Sequence, residues 1–247
     1  MSEFTVLRFE VIPSTNDIAR AAGMEGCPAW TVFVAREQSL GRGRRGRSWS
    51  SPSGGLWMSI LARPALPEDE RCLITLAVAV AVNKVLRSCG VESRIKWPND
   101  LVVNGKKVGG ILCESVVCGE NAGEFVVIGV GLNLNVDCTV LPGDIGESAT
   151  SVSQETGRFH DPDDILSKIV ESIRAEMERL EAGEGEAVLS DWRSTNSVLG
   201  RRVTVVGLTE RLAGTAIDID HAGALILETA SGLRRVLAGD VSLRPEG

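Results

Sequence analysis

At 247 residues the chain is long enough for one large domain, or for one domain with a small appendage. Its 43% hydrophobic content supports a full core and excludes a disordered chain. A net charge of -7 gives no overall basic field, which sets nucleic acid aside as the default partner. The start, Met1-Ser2-Glu3-Phe4, does not read as a secretory leader. The longest apolar run, Leu73 to Val82, is interrupted by Thr75 and is too short for a bilayer, so no membrane partner is expected. The six cysteines (27, 72, 89, 113, 118 and 138) form no CxxC pair and read as reduced core thiols of a cytoplasmic protein. The two histidines, His160 and His221, lie in polar stretches and read as solvent-facing, with no metal site expected.

In chain order, Phe4 to Ile12 alternates as a strand does. Ser14-Thr15-Asn16-Asp17 predicts a helix start, with Ser14 as N-cap and Asp17 completing a capping box. Thr31 to Ala35 and Leu56 to Leu61 read as strands around a loop. Glu68 to Cys89 predicts one long helix closed by Gly90. Strands follow at Arg94 to Trp97, Leu101 to Val103, Lys107 to Val117 and Glu124 to Val130, with Asn104-Gly105 as a hairpin turn. Helices are predicted over Asp163 to Glu181 and about Glu186 to Asn196. From Val198 the pattern changes to short strands between Gly and Asp turns: Val203 to Val206, Ala213 to Ile219, Leu225 to Thr229, Leu233 to Leu237. That suits a small five-stranded barrel and divides the chain into 1–197 and 198–247.

Gly41-Arg42-Gly43-Arg44-Arg45-Gly46-Arg47, running into Ser48-Trp49, is the most informative stretch. Guanidinium groups are permanent planar forks for carboxylate or phosphate, and glycines let backbone approach a ligand. The pattern reads as an anion clamp on an acidic chain. A nucleic-acid contact would want interleaved aromatics, and only Trp49 follows. Lys96-Trp97-Pro98-Asn99-Asp100-Leu101 places Asn99-Asp100 on a turn between strands, with Trp97 held extended by Pro98. In Lys107-Val108-Gly109-Gly110-Ile111-Leu112-Cys113-Glu114, glycines in a strand mark close approach of a ligand or another backbone. Gly129-Val130-Gly131-Leu132-Asn133-Leu134-Asn135 suits a pocket floor. No GxxxxGK[ST] is present, and Leu134 stands where a dinucleotide fingerprint needs its third glycine.

Taken in this order, these blocks resemble the biotin protein ligases. The matching residues are Ser14-Thr15-Asn16, Glu37-Gln38 with Gly41 to Trp49, Lys96 to Leu101, Lys107 to Glu114, Gly129 to Asn133 and Ala149-Thr150-Ser151. The C-terminal stretch is similar to that family's small SH3-like domain. The resemblance implies an α+β fold: a mixed sheet with flanking helices, like class II aminoacyl-tRNA synthetases, plus an SH3-like barrel. Some members carry an N-terminal helix-turn-helix repressor domain. This sequence opens at the catalytic block, so a ligase without DNA binding is expected.

The resemblance further implies that biotin and MgATP form biotinyl-5′-adenylate, and that a lysine of a biotin carboxyl carrier domain then takes the biotinyl group. Catalytic positions carried over are Lys107, Arg44 and Asp100. Biotin would meet Ser14, Thr15, Asn16, Gln38, Gly41, Arg42, Lys107, Gly109 and Gly110. ATP and adenylate would meet Arg42, Arg44, Arg47, Trp49, Asn99, Lys107 and Asn133. Gly41, Gly109 and Gly110 would give the ligand room and backbone donors. Relatives can be monomers or side-by-side dimers, and an edge strand at Ile111 to Val117 could serve a homodimer. A carrier-docking patch could come from Arg201, Arg202, Arg234 and Arg235. A lipoate or octanoate ligase of the same fold is the alternative activity.

Overall fold

The computed structural model describes residues 4–117, 124–141, 143–207, 210–237 and 239–243. Met1, Ser2, Glu3 and Cys118, read above, lie outside them. The larger sheet has seven strands: β1 (Thr5–Ile12), β2 (Thr31–Gln38), β3 (Leu56–Ala62), β4 (Arg94–Lys96), β5 (Asp100–Val103), β6 (Lys106–Val117) and β7 (Glu124–Leu132). Their order is β1-β2-β3-β7-β6-β5-β4. The β1–β2 pair is parallel and the others are antiparallel, which makes the sheet mixed. The β5–β6 turn is Asn104-Gly105, with φ 49° and 82°, the left-handed pair a two-residue hairpin needs.

Side chains alternate across the sheet. Phe33 and Leu61 join Ala19 of α1 (Thr15–Met24) on one face, while Val32, Val34 and Ile60 join the main core on the other. There α2 (Ile74–Ser88) packs against α5 (Pro162–Glu181) and α6 (Gly185–Thr195). Covered by both sheet and helices, α2 is apolar nearly all round: Ile74, Leu76, Val78, Val80, Val82, Val85 and Leu86 are all buried. Each fully buried large side chain of this core adds roughly 1.5–3 kcal/mol relative to exposure. The helix predicted from Glu68 is shorter than expected. Glu68–Leu73 forms a 3₁₀ turn because this polar stretch has no continuous apolar stripe to bury, and α2 begins where the apolar run does. Gly90, at φ 88°, ends it as expected. Two short helices, α3 (Asp144–Ser148) and α4 (Val152–Thr156), have no counterpart in the sequence reading.

The smaller sheet holds β8 (Arg202–Val206), β9 (Arg211–Ile219), β10 (Leu225–Thr229), β11 (Gly232–Val236) and β12 (Asp240–Leu243), in the order β11-β10-β9-β8-β12 and antiparallel throughout. Its Val203, Val205, Ala216, Ile219, Leu225 and Leu227 belong to the same buried cluster as the large sheet. Trp97 ties the two sheets together: it is buried, and its Nε1 donates to Gly223 O at 3.0 Å. The tryptophan of the Lys96–Leu101 block therefore packs in the core.

His160 corrects another expectation. It is buried, its Nε2 lies 2.8 Å from Thr156 Oγ1, and its backbone N–H donates to Asn135 Oδ1 at 3.0 Å. His221 is exposed, as expected. Among the described residues the cysteines form no disulfide, but Cys72 is exposed and so is not a core residue. Desolvation pushes the Cys113 thiol up to about 12 and the Cys138 thiol to about 11, which keeps both protonated and inert.

Candidate active site

The site forms where the end of β2, the start of α1 and the glycine positions of β6 and β7 converge. Ser14 takes the extended N-cap backbone of α1, but its hydroxyl makes no capping bond and lines the cavity instead. The capping box is not formed, because Asp17 pairs with Arg42 at 2.6 Å. Thr15 N–H donates to Gln38 Oε1 at 2.8 Å, and Gln38 Nε2 donates to Ser51 Oγ at 2.8 Å. The fully buried Ser59 hydroxyl lies 2.7 Å from Thr15 Oγ1 and 2.6 Å from Asn16 Oδ1. Asn16 Nδ2 donates to Glu114 Oε2 at 2.7 Å. A Cβ at Gly129 would stand 2.2 Å from Asn16 Oδ1, so the glycine makes room for this amide.

Lys107, near the start of β6, turns its ammonium to Asp100 Oδ1 at 2.6 Å and lies 4.7 Å over the Trp49 ring. The indole covers the neighbouring glycines. A Cβ at Gly110 would meet Trp49 Cζ3 at 3.3 Å, and one at Gly131 would meet Trp49 Nε1 at 2.9 Å. What lies close to these side-chain-free positions is thus a tryptophan and an asparagine. Trp49 Nε1 and Arg42 Nε are buried without a protein partner, and both residues line the cavity. Buried donors of this kind suit a ligand's acceptor atoms.

The arginine loop does not hang free. Arg42 gives two bonds to Glu114, at 3.1 and 3.0 Å. Arg45 sits at φ 59° in a 3₁₀ turn, Arg44–Gly46. Its guanidinium donates to Val206 O at 2.8 Å and Gly207 O at 2.7 Å, and meets Asp240 at 3.1 Å. Arg47 meets the other Asp240 oxygen at 2.5 Å. Arg44 donates to Asn99 Oδ1 at 3.3 Å and to Gly239 O at 3.4 Å. Burial pushes the Arg44 guanidinium below its ordinary range, opposed by the charges of Asp240 and Asp100. A buried cation that is not fully compensated is a strong receptor for an anion.

The cavity has a volume of about 260 Å³. Its wall includes Ser14, Thr15, Asn16, Gln38, Arg42, Arg44, Arg47, Trp49, Asn99, Asp100, Lys107, Gly110 and Asn133, so the structure brings together thirteen of the fifteen residues singled out from sequence. Gly41 and Gly109 are not in that wall. A Cβ at Gly41 would stand 2.4 Å from Trp49 O, and one at Gly109 3.0 Å from Gly131 O, so these glycines serve loop and sheet packing. Asn133 is held by Thr150 O at 3.0 Å, and Asn99 by Ile111 O at 2.8 Å. Leu141, Ile145 and Ala149 complete an apolar side. The sequence reading assigned no role to Glu114, Ser59 or Asp240. Glu114 was visible within its block, whereas Asp240 reaches the loop only through the fold of β12.

Other expectations fare unevenly. Of the four barrel arginines, Arg234 pairs with Glu210 and Arg235 with Asp220, so half of that patch is neutralised. Residues Gly109 to Val117 of β6 pair with β7, while β5 covers only its Lys106–Gly110 end. Among the described residues no strand covers the other edge of Leu112–Val117. No helix of the described residues is long and apolar enough to cross a membrane.

Residues 8–133 match the Biotin/lipoate A/B protein ligase family, and residues 198–244 match the Biotin protein ligase C terminal domain. The chain is 33% identical over 236 residues to the bifunctional ligase/repressor BirA of Bacillus spizizenii, covering 95% of this chain and 72% of that protein. It is 34% identical over 227 residues to the biotin–[acetyl-CoA-carboxylase] ligase of Paracoccus denitrificans, covering 90% and 92%. Among solved structures it is similar to the Aquifex aeolicus biotin protein ligase in complex with biotin and ATP, with a TM-score of 0.85, 26% identity, and coverage of 97% and 98%. Sequence, mixed sheet and C-terminal barrel agree, and the chain belongs to the biotin/lipoate A/B protein ligase family.

Proposed function

We propose that this protein is an ATP-dependent biotin protein ligase, using biotin and ATP and acting on a biotin carboxyl carrier domain. The observation that carries this reading is Lys107 beside Asp100 in a cavity whose rim is the arginine loop. The names of the relatives support biotin, and none of those given above is a lipoate ligase.

In the first step a biotin carboxylate oxygen attacks the α-phosphorus of ATP. The new P–O bond forms as the bond to the bridging oxygen breaks, and pyrophosphate leaves. Two anions must approach, so fixed cations are needed where charge concentrates. Lys107 has the compact charge and the central place for this, and partly buried Arg44 holds the phosphate of the adenylate. The cyclic urea lies on Ser14, Thr15 and Gln38. Arg47 exchanges Asp240 for the triphosphate. Magnesium arrives with the nucleotide; among the described residues no group of three or more His, Cys, Asp or Glu could hold it alone. In the second step the carrier lysine's amine attacks the acyl carbon, AMP leaves, and Asp100 is placed to receive the amine's proton. Trp49 and the loop keep water from the anhydride.

The division at residue 198, a cytoplasmic setting and the absence of DNA binding belong to the same proposal. The acidic net charge supports the last. The open edge at Leu112–Val117 supports a homodimer. The test is incubation of the protein with biotin, MgATP and a purified carrier domain. A biotinyl mass increment on one lysine is expected. An unmodified carrier in the presence of folded protein would overturn the reading.

A further inference from the structure

Glu114 sits where two parts of the site meet. One carboxylate oxygen accepts from Asn16 Nδ2 at 2.7 Å, and the pair of oxygens takes a two-bonded grip on Arg42 at 3.1 and 3.0 Å. Arg42 in turn holds Asp17 at 2.6 Å. Glu114 is largely shielded, with 23% of its side chain exposed, and Asn16 and Ser59 are buried. A carboxylate only accepts hydrogen bonds. Together with Leu112 O, which accepts from the same Nδ2 at 3.3 Å, it fixes which end of the Asn16 amide faces it: the NH₂ end, with Glu114 as the closer acceptor.

The consequence runs along the floor. With Nδ2 given to Glu114, Asn16 Oδ1 faces Ser59 at 2.6 Å and takes that hydroxyl's one proton. The contact of Ser59 with Thr15 at 2.7 Å then needs the Thr15 proton. Gln38 Oε1 is left with the Thr15 backbone N–H at 2.8 Å as its close donor, and the Thr15 hydroxyl sits farther off at 3.1 Å. Lone pairs of Thr15 Oγ1 and Gln38 Oε1 remain for a ligand. The floor is wired as a pair of acceptors, which suits the N–H groups of a cyclic urea and not a plain alkyl chain.

We propose that Glu114 is a positioning residue that sets the acceptor polarity of this floor through Asn16 and ties the arginine loop to it through Arg42. Loop closure and ligand binding are thereby linked in one network. This rests on the biotin reading above and assigns its specificity to a carboxylate that touches no ligand itself. The terminal nitrogens of Arg42 are taken up by Glu114 and Asp17, which leaves its Nε for a ligand acceptor and the loop's anion-holding charge to Arg44 and Arg47.

The test is Glu114→Gln, which keeps shape but removes the charge that holds Asn16 Nδ2 and Arg42, leaving Leu112 O as the weaker hold on the amide. Biotin affinity by calorimetry is expected to fall about ten- to a hundredfold, the range for a lost hydrogen bond to a charged group. At saturating biotin, kcat is expected to fall less than KM rises, with the melting temperature close to wild type. The double variant Glu114→Gln/Arg42→Gln is expected to lose less than the sum of the two single losses, since both changes break the shared Glu114–Arg42 link. Wild-type biotin affinity in folded Glu114→Gln, or additive losses in the double variant, would overturn the inference while leaving the ligase reading intact. A wild-type protein that binds no biotin would overturn both.

Discussion

Lys107 Nζ stands 2.6 Å from Asp100 Oδ1, so the two residues best placed for chemistry are joined before any substrate arrives. The pair is partly buried, with 34% and 24% of the side chains exposed. The carboxylate and the Trp49 ring hold the ammonium in place on the cavity wall. A preorganised charge of this kind stabilises a transition state without reorganising at the moment of reaction.

Lys107→Ala is expected to lose at least about 3 kcal/mol of transition-state stabilisation, or roughly a hundredfold in the adenylation rate, the usual cost of removing one such group. Single-turnover adenylate formation measures it. A rate near wild type would move the chemistry to another residue.

Arg44→Gly is expected to keep adenylation measurable but to shorten the lifetime of bound adenylate by about tenfold or more, since hydrogen bonds to charged groups are worth roughly 1.5–3 kcal/mol. Rapid filtration with labelled ATP reads free against bound adenylate. Equal retention would remove Arg44 from the phosphate site.

Asp240 accepts from both Arg45 and Arg47, binding the loop to β12 of the small sheet. Asp240→Asn removes a charge from a half-exposed cluster, so global stability is expected to change by less than about 1 kcal/mol. The local effect is larger in kind. Tryptic cleavage within the ligand-free loop is expected to quicken about two- to fivefold, in step with that lost pairing. An unchanged cleavage rate would show that the barrel does not hold the loop.

His160 gives a pH dependence. Burial holds its imidazole below the ordinary value of 6.5, with the Arg158 charge adding to the effect. Because the folded value is the lower one, the neutral form is favoured by folding. That contribution is complete above 6.5 and is lost as pH falls toward and through the folded value. The melting temperature is expected to drop between pH 7 and 5, and His160→Asn is expected to flatten that slope. Parallel slopes in the two proteins would reject a buried neutral His160.

The parts of the fold governed by local pattern were legible from sequence. The Asn104-Gly105 turn, the Gly90 stop and the strand alternation each follow from a few neighbouring residues. The site was legible where chemistry is concentrated in short blocks, as in the arginine loop and Lys107. Its wiring was not. Asp240 lies 193 positions from Arg47, and Glu114 lies 98 from Asn16, so only tertiary packing brings them together. His160 misled for the same reason. It looked polar and solvent-facing in its stretch, and tertiary packing decided its burial.

ATP–pyrophosphate exchange with purified protein, run with biotin, with lipoate and with neither, tests the central claim most directly. The account predicts exchange with biotin alone. Exchange with lipoate instead, or none with either from folded protein, would contradict it.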